Sequence, residues 1–523
     1  MFKINLSEIS LSVKKSSLID IPRKVKTLPK WSYGIYIFLI TISICSWLYY
    51  HYTGLTLSYN DARSHLDVAR RVVDSLTPGI VQIGSVWLPF YHLLELLTIW
   101  NDFMFRTGLS GSIISMIAFV GSSILLMKLV RLFYFSVAAL ISALAVFCLN
   151  PNLLFLQSVP MTESLLLFTI LGAIYFFAKW VQTDKLLSLV ISAGFVFCSV
   201  LTRYDGWFML LFLCGAVPIV SMMRNGKRHA EGDFLLFATL GFFAVGLWFA
   251  WNPIIFGDAL YFMNSQYSAK AQQDILFDHG QLLTKGNMLY SIQVYITAVA
   301  SNIGIAVTII GFIGLLLFSF SRIKLAIKLV VFSLIAPIIF NILSLYLGQS
   351  VIHLPQLPPY NWFNIRYGIM ALPAIAVGIG YIGSKHKILA VLLVILALGQ
   401  YAWMYKANDI ITVQDGIKGS SGYFLDDIGK WIHNNADSGL ILVAASSQDA
   451  LIFASDLPLK RFITEGSGKY WKTSLKDPTV YASYIIMHDG DLVSEKVKGK
   501  PIFVNNYKLV YKGNFSNVYK RNW

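Results

Sequence analysis

Charged side chains are scarce in this sequence: Asp, Glu, Lys and Arg make up 13% of its 523 residues, and only 27 residues are acidic. An ordinary soluble domain carries about 25% charged residues, so a water-facing surface over the whole length is excluded. Cysteine is almost absent. Cys45, Cys148, Cys198 and Cys214 all fall inside apolar stretches and lack metal-ligand spacing. They read as small apolar residues and not as a disulfide framework or a cysteine-bound metal site. No glycine-rich phosphate loop is present, so nothing points to a nucleotide. No small-residue cleavage site follows the first apolar run, residues 31–50, and that run reads as an anchor.

What is abundant is apolar surface. Hydrophobic residues account for 56% of the chain and aromatic residues for 15%, and the mean hydropathy is +0.62. One buried core cannot supply that; many segments apolar on every face can, as lipid demands. Apolar runs of helical length lie at 31–50, 86–104, 111–131, 135–150, 163–181, 185–202, 207–223, 233–252, 296–320, 326–348, 367–383 and 387–404. The run 86–104 carries Pro89, His92 and Glu95, which are costly in hydrocarbon, and reads as a half-inserted or juxtamembrane helix. The predicted fold class is a polytopic α-helical membrane protein with about eleven spans, in a range of about 11–13.

The net charge of +15 fits the same reading. The first thirty residues hold seven basic and two acidic side chains, and short basic loops such as Arg224–Arg228 and Arg322–Lys324 follow. Short basic loops mark the cytoplasmic face, so no nucleic-acid partner is implied. Residues 1–30 are then a cytoplasmic tail, 31–405 a transmembrane module with an external loop at 51–85, and 406–523 an extracytoplasmic α/β domain. The protein is expected in the plasma (cytoplasmic) membrane.

The first external loop is rich in chemistry. Apolar residues at 62, 66, 69, 72, 73 and 76 give one stripe on a helix expected to lie along the membrane and to end at Pro78-Gly79. Asp61 stands at its start, as a helix cap or as a carboxylate positioned to serve as general base. Tyr59 and Asn60 flank it as substrate contacts, and His65 lies one turn on. A second acid, Glu163, follows Pro160 and Thr162 in the first turn of a span. Arg203 and Arg366 at external span ends offer guanidinium forks for a lipid phosphate, or snorkel to the interface. Asp205 could pair with Arg203. His92 and Glu95, three residues apart, offer a half-site for a divalent cation or a plain hydrogen-bonded pair. Tyr261, Tyr267 and Lys270 sit in a long external loop that could close over the site.

Taken in order, Asp61 with its amphipathic helix, Trp87-Leu-Pro-Phe-Tyr-His92, Pro160-Met-Thr-Glu163, Arg203-Tyr-Asp-Gly-Trp207 and Asn364-Ile-Arg-Tyr367 resemble the C-type glycosyltransferase fold. The likeness is to the protein O-mannosyltransferase and aminoarabinose-transferase relatives, and it covers roughly residues 31–405. Trp87-Leu-Pro replaces the lysine-containing loop of the aminoarabinose enzymes, and the Trp-Trp-Asp signature of oligosaccharyltransferases is missing. The resemblance implies a polyprenyl-phosphate sugar donor and a protein, lipid or glycan acceptor on the extracytoplasmic face. It implies an inverting displacement with Asp61 and Glu163 as the catalytic acids and Arg366 and Arg203 on the donor phosphate. Tyr59, Asn60, His65, His92, Asp205 and Tyr367 would bind substrate, with a divalent cation as the cofactor to test. The alternative is a multi-span transporter or lipid flippase.

Overall fold

The computed structural model describes residues 32–84, 86–133, 136–265, 268–419 and 422–522. The basic tail therefore lies outside the described residues. Seven helices among them are long and apolar enough to cross a membrane, or up to nine if each of two bent pairs forms one span. With the shorter apolar helices Val137–Cys148 and Leu186–Val200, the segments correspond to the eleven expected runs. The protein is a multi-pass membrane protein. Residues 86–104 form no span: the chain there breaks into helices Phe90–Glu95 and Asp102–Arg106.

Uniformly apolar helices need small residues where they touch, because hydrocarbon offers no drive for large side chains to leave it. Helix Leu109–Leu132 follows that rule. Its Ser110, Ser112, Ser115, Ser122 and Ser123 face protein, while Ile117 is 65% exposed on the outer side. The most enclosed span, Ile365–Gly383, meets helix Ile305–Ser319 through glycines. A Cβ on Gly378 would lie 2.1 Å from the Gly311 carbonyl oxygen, and one on Gly314 would lie 2.1 Å from that of Gly378.

Two expected spans are not straight. Residues 288–319 turn by 112° between Met288–Ile303 and Ile305–Ser319. The break is at Gly304, with φ +99°, where the Gln400 side-chain carbonyl accepts from the Val307 N–H at 3.3 Å. Residues 325–346 bend by 50° just before Pro337, which lies in the first turn of the second piece.

The loop helix also departs from expectation. It spans Asn60–Arg70 and stops before Pro78-Gly79. Its stripe residues Ala62, Leu66 and Ala69 are fully buried. Leu66 and Ala69 pack with Ile99 and Phe105 against Ile428, Ile432, Ile441, Leu451 and Phe453 of the C-terminal region. The stripe thus binds protein, a stronger sink for apolar surface than an interface with water nearby. That region holds a five-stranded sheet of β1 (Leu440–Leu442), β2 (Phe462–Ile463), β3 (Ala482–Met487), β4 (Tyr507–Lys512) and β5 (Asn517–Arg521). The order is β2-β1-β3-β5-β4, with β1 parallel to β2 and β3 and the β5 pairings antiparallel. Arg71–Asp449 at 2.7 Å and Arg106–Asp456 at 2.8 Å tie it to the membrane module.

Gly378→Val should destabilise the detergent-solubilised protein by about 1–3 kcal/mol through overpacking. Thermal unfolding checks this against Gly399→Val, where a Cβ meets nothing within 4 Å and the midpoint should hold.

Candidate active site

Three span ends and one post-span helix converge on two guanidinium groups. Glu163 opens helix Glu163–Thr183, Asp205 opens helix Asp205–Asn225, and Arg366 lies in the first turn of the 3-10 stretch Ile365–Ala371. Acids are favoured at such ends because unpaired backbone N–H groups point out of them. The fourth contributor is Asp415, on helix Ile411–Lys418 just past the last span.

Arg366 is the hub. Its Nε donates to Glu163 Oε1 at 3.1 Å, its Nη2 pairs with Asp61 Oδ2, and its Nη1 lies 3.9 Å from Asp415 Oδ2. Arg203 reaches the same Glu163 oxygen through Nη1 at 3.0 Å and holds Asp205 through Nε at 3.2 Å. The Tyr367 ring sits between the two cations, 4.5 Å from Arg203 Cζ and 5.2 Å from Arg366 Cζ, and the Tyr59 ring lies 4.8 Å from the latter. Ring faces attract cations and shield them from each other's repulsion. The Tyr59 hydroxyl lies 2.8 Å from the Thr412 carbonyl oxygen and 3.1 Å from Asp415 Oδ2. Asn341 donates to Asp205 Oδ1 at 3.2 Å.

Exposure separates the acids. The Asp61 side chain is 38% exposed, whereas Glu163 is at 0% and Asp415 at 2%. Asp61 opens into a cavity of about 610 Å³ that Tyr59, Asn60, Arg366, Tyr367 and Asp415 also line. Of the expected site residues, Asp61, Tyr59, Asn60, Arg366 and Tyr367 are therefore together on this wall.

The others are not. Glu163, Arg203 and Asp205 lie behind the wall: Glu163 binds Arg366, and Arg203 bridges Glu163 and Asp205. Thr162 holds the N-cap position of helix Glu163–Thr183, but its hydroxyl makes no cap hydrogen bond and accepts from Arg203 Nη1 at 3.2 Å. Asp61 is not at a cap position: Tyr59 precedes its helix there. His65 and His92 are buried and bonded to each other, Nδ1 to Nε2, at 2.8 Å, so His65 orients no acid and neither ring lines the cavity. Burial, then the other ring and the nearby arginines, hold His65 well below the usual histidine range, and burial pushes His92 down to about 3. The expected His92–Glu95 pair does not form, because both Glu95 oxygens are without a hydrogen-bond partner among the described residues and desolvation raises that carboxyl. Tyr261 lines the cavity, Lys270 does not, and Tyr267 lies outside the described residues.

Asp415 was missed because it follows the last apolar run, where the chain reads as soluble. The signal was present in Ile410, Ile411 and Val413, which are buried in the membrane-module core.

A divalent cation does not fit this donor set. The convergent acids each face a guanidinium, and among the described residues no group of three or more His, Cys, Asp or Glu side chains is arranged to hold a metal ion.

No family model and no curated protein matches the chain. Solved structures do. ArnT from Cupriavidus metallidurans, bound to undecaprenyl phosphate, is similar with a TM-score of 0.60 at 10% identity over 94% of this chain and 98% of that one. An oligosaccharyltransferase from Archaeoglobus fulgidus, in complex with Zn and sulfate, is similar with a TM-score of 0.51 at 12% identity over 86% of this chain and 67% of that one. The chain has the C-type glycosyltransferase fold expected from its loops.

Two outcomes follow. Arg366→Met should cost about 3–5 kcal/mol because it strands buried carboxylates, and adding Glu163→Gln should recover part of that in thermal unfolding; strict additivity would contradict the shared network. His92 stays neutral when folded, whereas its unfolded value is near 6.5. It therefore contributes stability above about pH 6.5 that is lost as pH falls toward 3. Wild type should lose more stability than His92→Gln over that window; buried Glu95 and Asp67, raised by desolvation, act in the opposite sense in both proteins.

Proposed function

We propose that this chain is a membrane glycosyltransferase that moves a sugar from a polyprenyl-phosphate donor to an acceptor on the extracytoplasmic face. The observation that carries the reading is the pairing of one exposed carboxylate, Asp61, with one buried guanidinium, Arg366, on the wall of a single cavity. An ArnT structure of similar fold holds undecaprenyl phosphate, a ligand of the chemistry that such a guanidinium suits.

In this reading Asp61 takes the proton of the acceptor hydroxyl or amine as it attacks the anomeric carbon. The bond from that carbon to the phosphate oxygen breaks, and polyprenyl phosphate leaves with the bond electrons. Arg366 meets the developing negative charge through N–H groups beyond those used by Glu163 and Asp61. It needs no reorganisation to do so, because Glu163, Asp415 and the Tyr59 and Tyr367 rings surround it beforehand. Attack from the side opposite the phosphate inverts the anomeric centre. The role expected for Glu163 narrows to positioning, since a fully buried carboxylate does not touch substrate. A transport pathway would place charge in mid-span; here Glu163, Asp205 and Arg366 stand in the first turns of their helices.

The test is release of polyprenyl phosphate from a panel of polyprenyl-phosphate sugars. Asp61→Asn should lower turnover by about 10²–10⁴-fold with the donor still bound. Equal turnover in wild type and variant would remove Asp61 from the chemistry, and no turnover of any donor by folded protein would remove the transferase reading.

A further inference from the structure

Asp415 differs from the other two acids around Arg366. Glu163 and Asp61 accept hydrogen bonds from the guanidinium, but Asp415 Oδ2 stays 3.9 Å from Nη1, beyond hydrogen-bond range. The Asp415 side chain is 2% exposed, so water does not hold the two apart. A buried, ionised carboxylate is drawn into contact with a neighbouring guanidinium; a neutral acid is not.

The hydrogen bonds on its other side are one proton short. The Tyr59 hydroxyl lies 2.8 Å from the Thr412 carbonyl oxygen and 3.1 Å from Asp415 Oδ2, and it has a single proton to give. The carbonyl oxygen only accepts. Thr412 is held in place, because its N–H and its hydroxyl both donate to Asn152 Oδ1, at 2.9 and 2.8 Å. Tyr59 then donates to Thr412, the shorter contact, and the second contact needs a proton on Asp415 Oδ2.

Charge balance points the same way. Arg203 and Arg366 face Asp61, Glu163, Asp205 and Asp415, four acids against two guanidinium groups. With every group ionised, an anion arriving at Arg366 would meet an excess of two negative charges; one proton on Asp415 halves it. Little else near Asp415 is ionisable. Of the elements packed against its helix, Ile365–Ala371 brings Arg366 and Tyr367, Met288–Ile303 brings Tyr290 and Tyr295, and Pro151–Leu156 brings none. Tyr59 and Asp61 come from the start of the loop helix, and Lys418, on the same helix as Asp415, lies over the Trp362 ring.

We propose that Asp415 is a positioning residue that sets the affinity of Arg366 for the donor phosphate: it carries a proton while the donor is bound, and loss of that proton makes it a third carboxylate competing for the guanidinium. This assignment rests on the transferase reading above.

Binding of undecaprenyl methyl phosphate to the full-length detergent-solubilised chain tests it. The diester keeps one negative charge between about pH 5.5 and 8.5, whereas a monoester gains a second near pH 6. Wild type should bind about tenfold more tightly at the low end than at the high end. At the high end it should take up protons on binding, read by calorimetry in buffers of different ionisation enthalpy. In Asp415→Asn, which has no proton to lose, the ratio of the two affinities should fall to about one. The infrared difference between the two proteins at the low end should show a carboxylic-acid band in wild type alone, a readout that needs no ligand. A wild-type affinity that does not fall with pH, a fall that persists in Asp415→Asn, or absence of the band overturns the inference and leaves the transferase reading standing. Absence of diester binding at either pH, in protein that shows the band, overturns the phosphate role of Arg366 and this inference with it.

Discussion

Taking a guanidinium out of water costs several kcal/mol unless carboxylates surround it, and the site is organised around meeting that cost for Arg366. Glu163, Asp61 and Asp415 come from three separate stretches of chain, yet each reaches this one side chain. Because the partners are distant in sequence, the cation cannot be satisfied until the loop after the first span, the helix at Glu163 and the chain beyond the last span are all in place. The interaction thus couples completion of the fold to completion of the site. It also leaves the cation immobile, which is what stabilising a departing anion requires.

The C-terminal region belongs to the same arrangement. Helix Asn60–Arg70 presents Asp61 to the cavity at one end and buries Leu66 and Ala69 against the C-terminal core further along. Arg71, just past its end, pairs with Asp449. One short helix therefore fixes the distance between the exposed carboxylate and the C-terminal region. Movement of the sheet region would be felt at Asp61 through a rigid element of eleven residues.

Much of this was legible in the sequence, for physical reasons that differ by element. The spans could be read because lipid demands length and uniform apolarity, both of which are local properties. Asp61 and Arg366 could be picked out because charge is rare here and each stands at a predicted helix end. Three things could not be read. The stripe on helix Asn60–Arg70 has the same pattern whether lipid or protein covers it, and only the tertiary structure shows that the C-terminal core does. His65 and His92 looked available, yet their burial depends on Trp87 and Tyr91 packing around them. Asp415 sits where the composition already reads as soluble, and its placement depends on the chain returning to the membrane-module core after the last span.

The central claim is that Arg366 holds the donor's phosphate while Asp61 competes for the same guanidinium in the resting protein. Binding of undecaprenyl phosphate to purified wild type, Asp61→Asn and Arg366→Lys measures this without requiring turnover. The account predicts that Asp61→Asn binds at least as tightly as wild type, because a competing carboxylate has been neutralised. Arg366→Lys should bind markedly more weakly, because a point charge does not replace the fork. Loss of binding in Asp61→Asn with full binding in Arg366→Lys would contradict the assignment of both residues.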